Sequence, residues 1–112
     1  YLACKGGDNA ANHSHLDIGG FVLDAGGERF ALDLGPDDYA LPGYFDRPQR
    51  FAYFRTSSAG HNLLLADGAN QSPDARGTMR VRVASELAVA VIDAGAAYPG
   101  LRHRRVGRHL ER

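Results

Sequence analysis

An all-β fold, an antiparallel sheet forming part of a β-sandwich, is the architecture this sequence predicts, on three grounds. Glycine and proline, 14 and 5 of the 112 residues, break the chain at short intervals. The apolar runs between them are short and rich in Val, Leu, Phe and Tyr, which suit a pleated, half-buried surface. No stretch carries the sustained periodicity of an amphipathic helix.

The clearest element is a hairpin. Phe21–Asp24 and Arg29–Asp33 flank Ala25-Gly26-Gly27-Glu28, and a Gly-Gly centre supplies the positive φ angles of a tight two-residue turn. Closed there, the hairpin sets Leu23 opposite Phe30, Phe21 opposite Leu32 and Gly20 opposite Asp33. Opposed residues share a face, so Phe21, Leu23, Phe30 and Leu32 form a core face. Asp33 then projects to the other side, and Gly20 leaves space for a ligand beside it. Further strands are expected near residues 51–56, 61–66, 78–84 and 86–93. The third of these alternates Met79, Val81 and Val83 with Arg80 and Arg82, the pattern of one buried and one wet face. A final strand is expected over 101–106, after a turn at Tyr98-Pro99-Gly100. Between the hairpin and Phe51, residues 35–48 form a long loop with Pro36, Pro42 and Pro48 and the aromatics Tyr39, Tyr44 and Phe45, and long ordered loops on sheets usually carry function.

The length fits one domain, residues 1–112. Thirteen basic and 13 acidic side chains cancel, so the overall charge calls for neither nucleic acid nor an anionic membrane. Lys5 is the sole lysine, and Arg102, Arg104, Arg105, Arg108 and Arg112 crowd the C-terminal end, where His103 and His109 read as surface residues. That end lacks the interleaved aromatics of a nucleic-acid surface. The single cysteine, Cys4, excludes an internal disulfide and reads as a small core residue. No apolar run approaches the roughly 18–20 residues of a membrane helix, and no signal peptide is visible. The chain opens at Tyr1 rather than methionine, so it is expected to be a piece of a longer protein.

Chemistry concentrates in Asn12-His13-Ser14-His15-Leu16-Asp17-Ile18-Gly19-Gly20. In extended backbone His13 and His15 project from one face and share a site. His61 lies in a second polar knot, Gly60-His61-Asn62. Imidazole is the commonest metal ligand and the side chain that titrates nearest neutrality, so these histidines point to a metal or to proton transfer. If Gly19-Gly20 bends the chain back, His15, Asp33 and His61 form a two-histidine, one-carboxylate set suited to zinc, with Asp17 as a competing carboxylate.

These segments, from Lys5-Gly-Gly-Asp-Asn through the histidine motif and the Gly-Gly hairpin to Leu41-Pro-Gly-Tyr-Phe-Asp and Gly60-His-Asn, resemble the heparinase II/III family of polysaccharide lyases over residues 5–71. The resemblance implies a large enzyme in which a helical toroid precedes an antiparallel β-sandwich, this chain matching the start of the sandwich. It implies that His13 is an active-site residue and that His15, Asp33 and His61 hold a structural zinc, favouring Asp33 over Asp17. Tyr39 or Tyr44 is then the catalytic tyrosine, and Asn12 and Arg55 are expected to bind substrate. The expected substrate is an acidic polysaccharide containing uronic acid, of the heparan sulfate or alginate kind, cleaved by β-elimination. The further catalytic groups of the family belong to the helical domain, so the fragment alone is expected to be inactive, and Ser57-Ser58-Ala59 departs from the bulkier or more acidic segment expected there. A bacterial periplasmic or secreted location follows from the resemblance, which leaves a homodimer open.

Two other readings compete. A cupin-like metalloenzyme also shows His-x-His on a β-fold, but cupins usually add a glutamate a few residues on, and residues 18–25 contain none. A non-catalytic carbohydrate-binding β-module would use the aromatic loop and arginines, and it needs no histidine cluster.

Overall fold

The computed structural model describes residues 1–85, 87–101 and 105–111, the last of these by their backbone. Its regular elements are seven strands in two antiparallel sheets and four short 3-10 turns. Strands β1 (Leu2–Cys4), β3 (Phe21–Ala25) and β4 (Glu28–Ala31) form one sheet in the order β1-β3-β4. Strands β2 (Gly7–Asp8), β5 (Arg76–Val83), β6 (Leu87–Asp93) and β7 (Arg105–Glu111) form the other in chain order. The all-β expectation holds. The N-terminal run belongs to both sheets, because β1 pairs with β3 and β2, a few residues on, pairs with β5. Cys4 packs at the edge of the core, its Sγ 3.6 Å from Met79 Sδ on the other sheet.

The Gly26-Gly27 hairpin forms as predicted, with φ of 58° and 83° at its two glycines. Its register does not continue as expected. Asp24 faces Arg29, but an irregularity between Leu23 and Asp24 sets Leu23 opposite Ala31 rather than Phe30. The extra residue on β4 is Phe30, and it turns outward at 69% exposure, followed by Leu32 at 50%. The predicted core face is therefore split.

Residues 51–56 and 61–66 are not strands. Gln49–Ala52, Phe54–Thr56 and Ser58–Gly60 are successive 3-10 turns, closed by the backbone N–H groups of Tyr53, Ser57 and His61. Thr56 Oγ1 donates to the Arg50 and Tyr53 carbonyls and Ser57 Oγ to that of Phe54, local bonds that compete with a ladder. The expected strands near 78–84 and 86–93 are β5 and β6, with Glu86 outside the described residues. The last strand, β7, runs Arg105–Glu111 and overlaps the expected 101–106 only at its end, Leu101 lying outside any strand. Residues 102–104 are not among the described residues, nor are the side chains of His103 and His109, whose surface assignments therefore lie outside. Met79, Val81 and Val83 do share a face of β5, but it is covered only at one end, where Met79 meets Cys4 and lies opposite the buried Ile92; exposure rises along the strand to 71% at Val83.

The core that positions the site comprises Ile18, Ala75, Ile92, Ala94, Ala97 and Tyr98. Ile18 carries the histidine segment into it. A Cβ on Gly77 would lie 2.5 Å from Ile18 Cγ2, so only glycine lets β5 pass this close. The buried Gln71 amide completes the attachment: Ile18 N–H donates to its Oε1 at 3.0 Å, and its Nε2 donates to Ile18 O at 2.7 Å and to the Tyr98 hydroxyl at 2.8 Å. A side chain here supplies the bonds a neighbouring strand would have made.

Candidate active site and metal centre

The two histidines of the Asn12–Gly20 stretch separate. His13 adopts φ 61°, so the alternation expected of extended backbone fails between it and His15. The His13 ring packs against Phe45 and Tyr39, centroids 5.4 and 5.9 Å away, whereas the His15 ring lies 5.2 Å from that of His61. Ser58 anchors the segment from below, its Oγ donating to Leu16 O at 2.9 Å. Beyond His15, Gly20 N–H donates to Asp17 O at 2.9 Å and Gly19, at φ 86°, hydrogen-bonds back to Lys5. This is the bend the glycine pair was expected to allow.

His61 arrives by a different route. A Cβ on Gly60 would stand 2.2 Å from Phe54 O, so the Gly-His-Asn knot requires its glycine. Asn62 Nδ2 donates to Phe21 O at 3.0 Å and to Leu32 O at 2.7 Å, bridging the start of β3 to the segment after β4. That clasp brings His61 to Asp33. His61 Nδ1 and Asp33 Oδ2 are 2.6 Å apart, and Asp33 Oδ1 accepts the Gly35 N–H at 2.8 Å. The His61 side chain is 2% exposed, and its Nε2 is buried without a partner.

The site favours a neutral imidazole and an ionised carboxylate. Burial, chiefly, and then the neighbouring His61 lower the His15 pKa; Asp17 opposes them, and Arg50 and Lys5 add to the lowering. Burial alone would raise the Asp33 carboxyl, but hydrogen bonds from Gly35 and His61, with the fields of His61 and His15, leave it below its usual range. Asp17 is held by Lys5 Nζ at 2.5 Å. Lys5, Asp17, Gly20 and Asp33 border a cavity of about 190 Å³, the space predicted beside Asp33.

Zinc suits this donor set: two adjacent imidazoles, one with an unpartnered buried nitrogen, and a carboxylate. Among the described residues, however, no three His, Cys, Asp or Glu side chains converge as a finished metal cage. Ligand atoms around one tetrahedral zinc stand roughly 3.3 Å apart, given Zn–N bonds near 2.0–2.1 Å. The His61–Asp33 contact is shorter, as in a hydrogen bond. Asp33 thus holds His61 by Nδ1 and leaves the buried Nε2 unpartnered, an arrangement typical of ligating histidines.

The residues expected at the substrate fall into two groups. His13, Asn12, Phe45, Arg47, Arg50 and Phe51 border a second cavity, of about 120 Å³. Tyr39 is 52% exposed beside His13, whereas Tyr44 is 1% exposed and its hydroxyl accepts the Asp37 N–H at 3.2 Å. Asn12 is exposed, its Oδ1 accepting the His13 N–H. Arg55 is turned to the aromatic loop, donating to the Leu34 and Pro36 carbonyls. Sequence reading passed over Phe45 as a contact of His13 and gave Arg50, Gln71 and Ser58 no role. The aromatic loop was a signal for the first; the others lie in no motif.

The heparinase II/III-like, C-terminal family model matches residues 1–109. The chain belongs to this family. No curated protein and no solved structure matches it. Membership implies, at the level of the family, a polysaccharide lyase. The heparinase II/III-like fold here accounts for both clusters: β3, β4 and the Gly-His-Asn knot build the His15–His61–Asp33 group, and the aromatic loop builds the wall around His13.

Proposed function

We propose that this chain is one wall of the active cleft of a lyase that cleaves uronic-acid-containing polysaccharide by β-elimination. What carries the reading is the pairing of an exposed His13–Tyr39–Phe45 surface with a cluster of half-buried His15, buried His61 and exposed Asp33, across two residues of backbone. Elimination requires a base for the proton on the carbon next to the uronate carboxyl group, neutralisation of that carboxylate, and a proton for the departing glycosidic oxygen. The proton is weakly acidic until the carboxylate's charge is offset, so donors aimed at it lower the barrier to the enolate-like state. His13 faces the uronate carboxylate, Tyr39 handles a proton at its phenol oxygen, and Asn12 adds a side-chain amide at the rim. The remaining groups come from a helical toroid domain of the same protein, so this chain by itself turns over little.

His15 and His61 are the ligands this chain offers one structural zinc, and Asp33 orients His61 from behind. When bound, the ion supplies a fixed positive charge that ties the histidine segment to the Gly60–Asn62 knot. That tie fixes the backbone from which His13 projects. A periplasmic or secreted bacterial location suits a polysaccharide substrate.

The test is an assay of the full-length protein on heparan sulfate-like and alginate-like polymers for ultraviolet-absorbing unsaturated uronates, with metal analysis. Expected are absorbing products from one class and about one zinc per chain. No unsaturated product from any uronate polymer would overturn the lyase reading. Metal-free, unchelated protein would overturn the zinc.

A further inference from the structure

Arg50 belongs to none of the motifs around the site, yet its side chain is the most heavily engaged in the molecule's active wall. It is 5% exposed. Its Nε donates to Ser14 O at 3.1 Å, Nη2 to His13 O at 3.1 Å and Nη1 to Tyr44 O at 3.0 Å. Its guanidinium carbon lies 4.6 Å from the Tyr44 ring centroid and 5.7 Å from that of Phe45.

Burying this cation is costly, and no carboxylate among the described residues pairs with it; three carbonyls and two ring faces compensate it instead. A plain apolar side chain would fill the volume without that cost. The fork has a geometric use that an apolar side chain lacks. Its bonds to the His13 and Ser14 carbonyls fix the successive peptide planes that follow the His13 Cα. Its bond to Tyr44 and its place over Tyr44 and Phe45 fix the aromatics that the His13 ring meets. His13 needs such restraint, because φ 61° costs a non-glycine residue free energy and persists only where the surroundings over-determine it.

We propose that Arg50 is the positioning residue of this site, holding the His13 imidazole against the Phe45 and Tyr39 rings in the geometry the sugar substrate meets. Its catalytic consequence rests on the lyase reading above; its structural consequence does not. Lysine does not replace it, since one ammonium on a flexible stem cannot span three carbonyls with a planar fork.

Arg50→Lys and Arg50→Gln in the full-length protein, with histidine and phenylalanine selectively labelled for NMR, test this. Expected in both variants are loss of the His13–Phe45 ring cross-peaks, persistence of the His15–His61 cross-peaks, and unchanged metal content. Expected kinetically is a fall in kcat of about 10- to 100-fold with KM within about threefold, as for a misplaced group rather than lost binding. Retained His13–Phe45 cross-peaks in a folded variant overturn the proposal, as does joint loss of both pairs of cross-peaks, which would mark a general structural role. Should neither variant fold, the wild type decides. An Arg50 Nε–H signal protected from solvent exchange supports the proposal, and a rapidly exchanging one overturns it. If the wild type shows no lyase activity while the cross-peaks change as expected, the lyase reading fails and the positioning role stands.

Discussion

His61 and Asp33 meet at 2.6 Å, Nδ1 to Oδ2, and this contact decides which edge of the imidazole is left for a ligand. Nε2 is buried and unpartnered, and the His15 ring lies 5.2 Å from that of His61. A carboxylate behind a ligating histidine fixes its tautomer and raises its basicity. The two groups thus have unequal expected effects. His61→Ala should remove bound zinc outright, whereas Asp33→Asn should weaken it by about 10- to 100-fold, the usual effect of losing such a partner. Competition with a chelator measures both, and equal losses would make Asp33 a direct ligand instead.

Acid should destabilise the metal-free protein in two stages. The His15 pKa is lowered from its ordinary 6.5, so below that value the unfolded chain takes up a proton the folded one resists, and stability falls with pH. The Asp33 pKa is lowered from 3.8, so its contribution is present above that value and is lost as pH falls through the folded-state value. Both slopes have the same sign. Calorimetric melting temperatures should decline from neutrality through the first range and again in the second, and His15→Gln should flatten the first limb alone. A melting temperature that rises between pH 7 and 5 would contradict the assignment.

What was legible in the chain was what local chemistry fixes. Gly26-Gly27 announces its turn because the φ requirement lies in those two residues, and β5 and β6 are legible as strands from their valine-rich runs without knowing their partners. The bulge that turns Phe30 outward depends on how β3 meets β4, so no local pattern marks it. His15 and His61 stood out because each lies in a compact polar motif, and their rings do meet at 5.2 Å; the residues alone left Asp33 and Asp17 as rivals, and the resemblance favoured Asp33. The shared face of His13 and His15 failed because one residue leaves extended backbone. Arg50 stayed hidden for a related reason: its partners are carbonyls 36 and 37 positions earlier, and a carbonyl has no sequence signature.

Gly60 offers a test of how the knot is built. Its absent Cβ leaves room for the Phe54 carbonyl, which a methyl group would approach to 2.2 Å, and the obstacle is backbone rather than a flexible side chain. Gly60→Ala should therefore cost about 2–3 kcal/mol, at the upper end of ordinary overpacking, and should weaken metal binding by displacing His61. Urea unfolding and metal titration report the two effects; a change under about 0.5 kcal/mol, the scatter of surface substitutions, would mean the turn yields freely.

The two tyrosines of the aromatic loop separate by exposure. Tyr44 lies in the core of the loop under Arg50, and its hydroxyl serves a backbone N–H. Tyr44→Phe removes one hydrogen bond and should cost about 1 kcal/mol of stability with little change in kcat. Tyr39, open beside His13, has the phenol that a substrate can reach. Tyr39→Phe should lower kcat by about 100-fold or more, the range for a lost general acid or base, with stability unchanged. Steady-state kinetics on the full-length enzyme, together with melting curves, distinguish the pair. The reverse pattern, with Tyr44→Phe inactive and stable, would move the proton-transfer role to the buried ring and require the loop to open before substrate binds.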